Sequence, residues 1–128
     1  MIVAGVGCRK GASAEAITAA IDASLERGGV ARSKLKAIAT ATLKRDEPGL
    51  AATAGVFGVP LVVVEQAALE RAGQHGVTHS EHALALAGVP SVAEAAALAA
   101  AGPGARLVVP RLVLGPVTCA LAQNGDVS

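Results

Sequence analysis

Apolar and polar positions along this chain fall into short runs whose period switches between strand and helix. Ile2–Val6 is an apolar run ending at Gly5-Val6-Gly7, which predicts a strand followed by a glycine loop. Ser13 then precedes Ile17, Ala20, Ile21 and Leu25, one stripe of a capped helix that Gly28-Gly29 stops. Leu35–Thr42 predicts a second strand, its β-propensity diluted by alanine. Asp46-Glu47-Pro48 supplies a cap, an acid and an early-turn proline ahead of Leu50, Ala51, Ala54 and Phe57, a second helical stripe closed by Gly58. Pro60–Val64 is continuous and β-branched, the pattern of a strand buried on both faces of a parallel sheet.

The second half is less regular. After a short helical turn, residues 65–79 read as a loop, and Ser80 caps a short helix ending at Gly88. Ser91-Val92-Ala93-Glu94 has the S-x-x-E pattern of a capping box, followed by an alanine-rich run to Ala101 and a stop at Gly102-Pro103-Gly104. Arg106–Leu114 and Val117–Ala122, joined at Gly115-Pro116, predict a hairpin at the end of the sheet. Strands alternating with helices give an α/β class: one layered domain over residues 1–122, a mostly parallel sheet flanked by helices, with a C-terminal antiparallel strand pair. Residues 123–128 are expected to form a disordered tail. Crevices in such sheets open at strand carboxyl ends, which points to the loops after the first three strands.

Composition narrows the function classes. At 128 residues one domain is expected, and 52% hydrophobic against 16% charged residues supply a core of its own. Phe57 is the sole aromatic residue, which argues against base-stacking modules and aromatic sugar platforms. A net charge of +1 argues against nucleic acid or an anionic membrane as the main partner. No apolar run approaches the ~18 residues of a membrane span, and the first residues lack the basic stretch of a secretory signal, so a cytoplasmic protein is expected. Cys8 and Cys119 fit neither a zinc spacing nor a disulfide framework.

Candidate chemistry concentrates in the loops. Gly7-Cys8-Arg9-Lys10-Gly11 lies between a strand and a helix, where glycines permit tight turns and backbone N–H groups meet anions. Arg9 suits bidentate carboxylate bonding and Lys10 adds a mobile charge. The loop is not a Walker A sequence, and its spacing is one residue longer than G-x-G-x-x-G. The same glycines equally serve a plain connection. Cys8 sits among these cations, where a lowered thiol pKa would favour a nucleophile, whereas burial would make it structural. Lys44 adds an anion contact after the second strand; Asp46 and Glu47 there equally serve as cap and helix-dipole partner, and Glu94 as the acid of the capping box. His75, His79 and His82 would share a helical face, but Gly73 and Gly76 argue against that helix, so no metal and no cofactor is expected.

Read together, several segments resemble the family comprising CobE and the C-terminal domain of CbiG, proteins of cobalamin (vitamin B12) biosynthesis. They are Gly5-Val6-Gly7-Cys8-Arg9-Lys10-Gly11, Lys44-x-Asp46-Glu47-x-Gly49-Leu50, Ser80, Ser91-Val92-Ala93-Glu94-Ala95-Ala96-Ala97-Leu98 and Val117-Thr118-x-Ala120. Their order and spacing span nearly the whole chain. The resemblance implies a compact α/β domain that acts on, or accompanies, corrin intermediates. CbiG proteins of the anaerobic route open the lactone of cobalt-precorrin-5A and release the extruded carbon fragment as acetaldehyde. With 128 residues leaving no room for a further domain, the free-standing type of the aerobic route is expected.

The implied ligand is a precorrin or corrin-type tetrapyrrole, whose acetate and propionate groups want the donors and cations of the first loop. Gly7, Cys8, Arg9, Lys10 and Gly11 are the anion-facing residues, with Lys44, Asp46 and Ser80 behind them. If a lactone is opened, Glu47 or Glu94 is the base that activates water. Arg111 stands where the resemblance would place a lysine and keeps a carboxylate contact. A carrier of corrin intermediates needs the binding residues and no base. A phosphate- or nucleotide-binding α/β domain and a subunit docking on other cobalamin-pathway enzymes are the further alternatives.

Overall fold

A strand with neighbours on both sides and helices on both faces has no place for polar side chains, and Ile2–Cys8 (β1) carries none. The computed structural model describes residues 1–9, 11–41, 47–65, 67–68 and 92–125. After β1 come α1 (Ala14–Gly28), β2 (Leu35–Ala41), α2 (Pro48–Phe57), β3 (Leu61–Val64), α3 (Val92–Ala101), β4 (Arg106–Leu114) and β5 (Val117–Gln123). The sheet order is β3-β2-β1-β5-β4. Strands β1, β2 and β3 are parallel; β5 is antiparallel to β1 and to β4. This is the mixed α/β sheet that the alternation predicts.

Local signals explain the element ends. The Ser13 hydroxyl accepts the Ala16 N–H at 3.1 Å and starts α1, and Gly29, at φ 65°, closes it with a left-handed turn. Ile17, Ala20, Ile21 and Leu25 are all buried, as their spacing requires. Pro48 opens α2 and Gly58 closes it.

The two faces of the sheet differ in kind. Ala4, Val6, Cys8, Ile38, Cys119 and Leu121 meet Ile17, Ile21 and Leu25 of α1 and Leu50 of α2 in a branched aliphatic layer. The other face is nearly all alanine: Ala37, Ala39, Ala41 and Ala122 lie against Ala95, Ala96, Ala97 and Leu98 of α3. Small side chains let α3 sit close, and Gly5 is where it sits closest. A Cβ there would stand 1.9 Å from the Ala93 carbonyl oxygen and 2.7 Å from the Ala97 nitrogen.

Several expectations change. β1 runs on through Gly7 and Cys8, which pair with Thr118 and Val117, so neither belongs to the loop. β3, expected to be buried on both faces, has β2 as its one neighbour among the described strands, and Val63 is 38% exposed. The terminal hairpin does lie at the end of the sheet, with β5 between β1 and β4 and β4 outermost. In α2, Ala51 is exposed and Thr53 is buried, its hydroxyl donating to the Gly49 carbonyl at 2.8 Å. Gln123 and Asn124, expected in the tail, are held: Gln123 pairs with Ile2, and the Asn124 amide caps α3 by donating to the Ala101 carbonyl at 2.6 Å. Thr42, most of the loop predicted over 65–79, and the helix from Ser80 to Gly88 lie outside the described residues; Ala67 and Ala68 are helical. Among the described residues no helix is long and apolar enough to cross a membrane.

Candidate functional site

The carboxyl edge of the parallel strands gathers the first turns of the helices. Gly49 in the first turn of α2 abuts the entry to α1, where a Cβ would lie 2.4 Å from the Ala12 carbonyl oxygen and 3.3 Å from the Ala14 nitrogen. At the opposite end Arg32, just after α1, stacks over the Phe57 ring at 4.6 Å and pairs with Asp22. Helices α1 and α2 therefore run side by side with their amino ends at the same edge. On the other face α3 runs opposite to β1, with Ala93 over Gly5 and its capped end beside Asn124, which bonds to Met1 through both backbone groups. Its first described turn thus points to the same edge. Positive helix ends on both faces of the sheet meet there.

The loop after β1 is less open to an anion than its glycines predict. The Arg9 N–H donates to the Pro116 carbonyl at 3.0 Å, the Ala12 N–H to the Arg9 carbonyl at 3.1 Å, and the Gly11 N–H to Glu47 Oε2 at 3.0 Å. These three donors already have acceptors inside the protein, so they do not form the phosphate cradle of a nucleotide fold. Among its described residues, the loop offers the exposed side chain of Arg9. Lys10, Lys44, Asp46 and Ser80 lie outside the described residues.

Glu47 and Glu94 occupy different environments. Glu47 is the N-cap residue of α2, yet its side chain does not cap that helix. The close approach at Gly49 brings it within reach of Gly11, and its carboxylate ties the α2 entry to the first loop. It is half-buried at the carboxyl edge. Glu94 is only 1% exposed in the first turn of α3. Glu94 Oε2 accepts the Arg111 N–H at 3.1 Å, a bond to a distant strand that the capping-box pattern does not predict. Ser91 lies outside the described residues. The register of β4 slips between Val109, opposite Leu121, and Leu112, opposite Cys119, so this stretch carries an extra residue, and Glu94 satisfies the backbone donor there. Glu94 consequently stands inside the protein rather than on the edge with Arg9.

Neither thiol forms a disulfide. Cys8 is buried in β1 under the first loop. Burial pushes the Cys119 thiol up to about 11, against the smaller opposing effect of the neighbouring Ser24 hydroxyl. Cys119 is thus an apolar core residue at neutral pH. Among the described residues no group of three His, Cys, Asp or Glu side chains could hold a metal ion; His75, His79 and His82 lie outside them.

Apart from Arg111, sequence reasoning missed the part of the edge contributed by the hairpin. Pro116 fastens to Arg9, Arg111 fastens to α3, and Val113, 63% exposed, and Leu114, 43% exposed, lie beside them. The signal was present in Arg106–Leu114, where a proline and two arginines in an apolar run mark an edge strand.

Comparison with known proteins gives consistent matches. Residues 2–122 match the family described as Cobalamin synthesis G C-terminus (CbiG_C). Protein CobE from Sinorhizobium sp is 36% identical over 121 residues, covering 94% of this chain and 79% of that protein. The crystal structure of a CobE, a protein from the cobalamin (vitamin B12) biosynthetic pathway, superposes with a TM-score of 0.89 at 37% identity, covering 97% of this chain and 90% of the other. Cobalamin biosynthesis protein chiG from Agrobacterium tumefaciens str. C58 gives a TM-score of 0.80 at 47% identity, covering 98% of this chain and all of that one. A cobalamin biosynthesis protein G homolog from Sulfolobus solfataricus shares the fold at a TM-score of 0.70 and 24% identity, with this chain spanning 36% of its length.

Proposed function

We propose, starting from the premise that this chain belongs to the CobE/CbiG C-terminal family of cobalamin biosynthesis proteins, that it binds a precorrin or corrin-type tetrapyrrole at the carboxyl edge of its sheet. The observation that carries this reading is the meeting of three helix amino ends with the exposed Arg9 at one edge, next to an exposed apolar hairpin. A ring bearing many carboxylates needs both features: positive potential and a guanidinium for its rim, apolar surface for its face. The phosphate or nucleotide reading lacks support, since the loop N–H groups at Arg9, Gly11 and Ala12 have internal acceptors.

Binding for transfer is favoured over hydrolysis. Glu94 is enclosed and Glu47 spends one oxygen on the Gly11 N–H, so each carboxylate does structural work before it could activate water. The hydrolytic reading rests on Glu47, which is half-buried at the same edge. Other enzymes of the pathway are the natural second partners of a carrier, and a cytoplasmic setting fits both readings.

An absorption titration with precorrin and hydrogenobyrinic acid tests the proposal, followed by mass analysis of the recovered ligand. The chain has no Trp or Tyr to obscure the spectrum. Binding that weakens about tenfold or more in Arg9→Ala, without a change in melting, supports the site. An unchanged ligand mass supports the carrier; a mass change that Glu47→Gln abolishes supports hydrolysis. No binding to any tested tetrapyrrole refutes the reading.

A further inference from the structure

Gly7 is a glycine that neither its backbone conformation nor the packing of the described residues requires. It is absent from the glycines with positive φ, and a Cβ built on it meets no atom of the described residues within 4 Å. Two residues earlier, Gly5 is required because α3 rests on it. A strand glycine gives up backbone entropy and side-chain packing, and a strand interior tolerates it where another backbone or a ligand approaches closely. No described backbone approaches Gly7.

The register shows what surrounds this open position. Gly7 is opposite Thr118, and Thr118 is opposite Val113, so the three stand in a row across β1, β5 and β4. Directly opposed residues share a face, and Gly5, two positions from Gly7, puts that face on the α3 side. The described part of α3 covers Gly5 and leaves the next row uncovered, where Val113 is 63% exposed and Thr118 half-buried. Arg9 follows at the end of β1, held by Pro116, and Arg111 precedes Val113 by two positions on β4. The carboxylate near Arg111, that of Glu94, is enclosed and turned to the Arg111 N–H.

We propose that the Gly7–Thr118–Val113 row is the seat on which the flat face of the tetrapyrrole lies, with Arg9 taking a carboxylate at its rim. This rests on the tetrapyrrole reading above and adds where the ring sits. In a protein without an aromatic side chain at this edge, a planar macrocycle gains dispersion contact by lying on the pleated backbone itself, and a missing Cβ at Gly7 permits that approach. Val113 supplies methyl groups at one side, and the Thr118 hydroxyl is within the row for a polar ring substituent.

The test uses hydrogenobyrinic acid as probe, with wild type, Gly7→Val, Val113→Glu and Arg9→Ala compared by absorption titration and thermal melting. Gly7→Val fills space the described residues leave open and favours the strand, so its melting temperature is expected to match or exceed wild type while its Kd rises at least tenfold. Val113→Glu, at an exposed position, is expected to retain the fold and weaken binding by repelling the ligand's carboxylates. A folded Gly7→Val that binds like wild type overturns the seat; should that variant not fold, unchanged binding by Val113→Glu overturns it. Loss of binding in Arg9→Ala with wild-type binding in both row variants places the ligand at the edge but off the row. Absence of binding by the wild type overturns the tetrapyrrole reading and the seat together.

Discussion

Replacing Gly5 by alanine adds a single methyl group at the tightest contact between sheet and helix. The new Cβ would stand 1.9 Å from the Ala93 carbonyl oxygen, so α3 must retreat by at least about 1 Å to restore contact distance. The obstructing atoms are helix backbone, so no rotamer change relieves the clash. Ala95, Ala96, Ala97 and Leu98 pack on the same face and would lose contact as α3 lifts, since a gap of that size forfeits about a quarter to a half of each dispersion contact. The expected cost is about 3 kcal/mol, the upper part of the overpacking range. For a domain of this length that lowers the melting temperature by about 10 °C. Without Trp the transition is followed by far-ultraviolet circular dichroism or calorimetry. Gly7→Ala, on the same strand and face, is the matched control and should melt no lower than wild type. A Gly5→Ala protein melting within about 2 °C of wild type would refute the packing argument.

Two further predictions concern buried groups. The Cys119 thiol, raised from 9.0 to about 11 by burial, is protonated in the folded protein where the unfolded chain would already have ionised. Its contribution to stability is complete below about pH 9 and is lost as pH rises through 11, so denaturant melts of wild type and Cys119→Ala should run parallel from pH 7 to 9 and converge above it; curves parallel to pH 11 would contradict the burial argument. Glu94→Leu leaves the Arg111 N–H without its acceptor at a cost of about 1–3 kcal/mol, whereas Glu94→Gln keeps an oxygen in reach and should cost less. Chemical denaturation orders the two variants, and a Leu variant as stable as Gln would show that the bond contributes nothing.

Elements with local signals were legible in the sequence. Ser13, the Ile17–Leu25 stripe and Gly29 define α1, and the structure follows them residue by residue. The hairpin and its place at the end of the sheet were legible too, but which of its strands joins β1 was not, because a turn signal such as Gly115-Pro116 says nothing about which neighbour a strand finds on its other side. A stronger clue lay in β5, where Cys119 to Ala122 are fully buried; four consecutive apolar residues mark an interior strand. Glu47 and Glu94 were read as local helix-end partners, yet each bonds a backbone N–H distant in sequence, on Gly11 and Arg111. Such bonds follow from how closely α2 and α3 approach, which Gly49 and Gly5 set and which no window of sequence reports.

The position of β5 also has a consequence for the order of folding. Its seven residues pair with all of β1, the first strand of this sheet, and Asn124 closes on Met1. Until β5 has left the ribosome, β1 has β2 on one side and an open edge on the other, and β4 has no partner in the sheet. The core layer under α1 is likewise missing Val117, Cys119 and Leu121. Ribosome-bound chains ending before Val117 should therefore be protease-sensitive throughout, and protection should arrive in one step as the last strand slots between two that have waited for it.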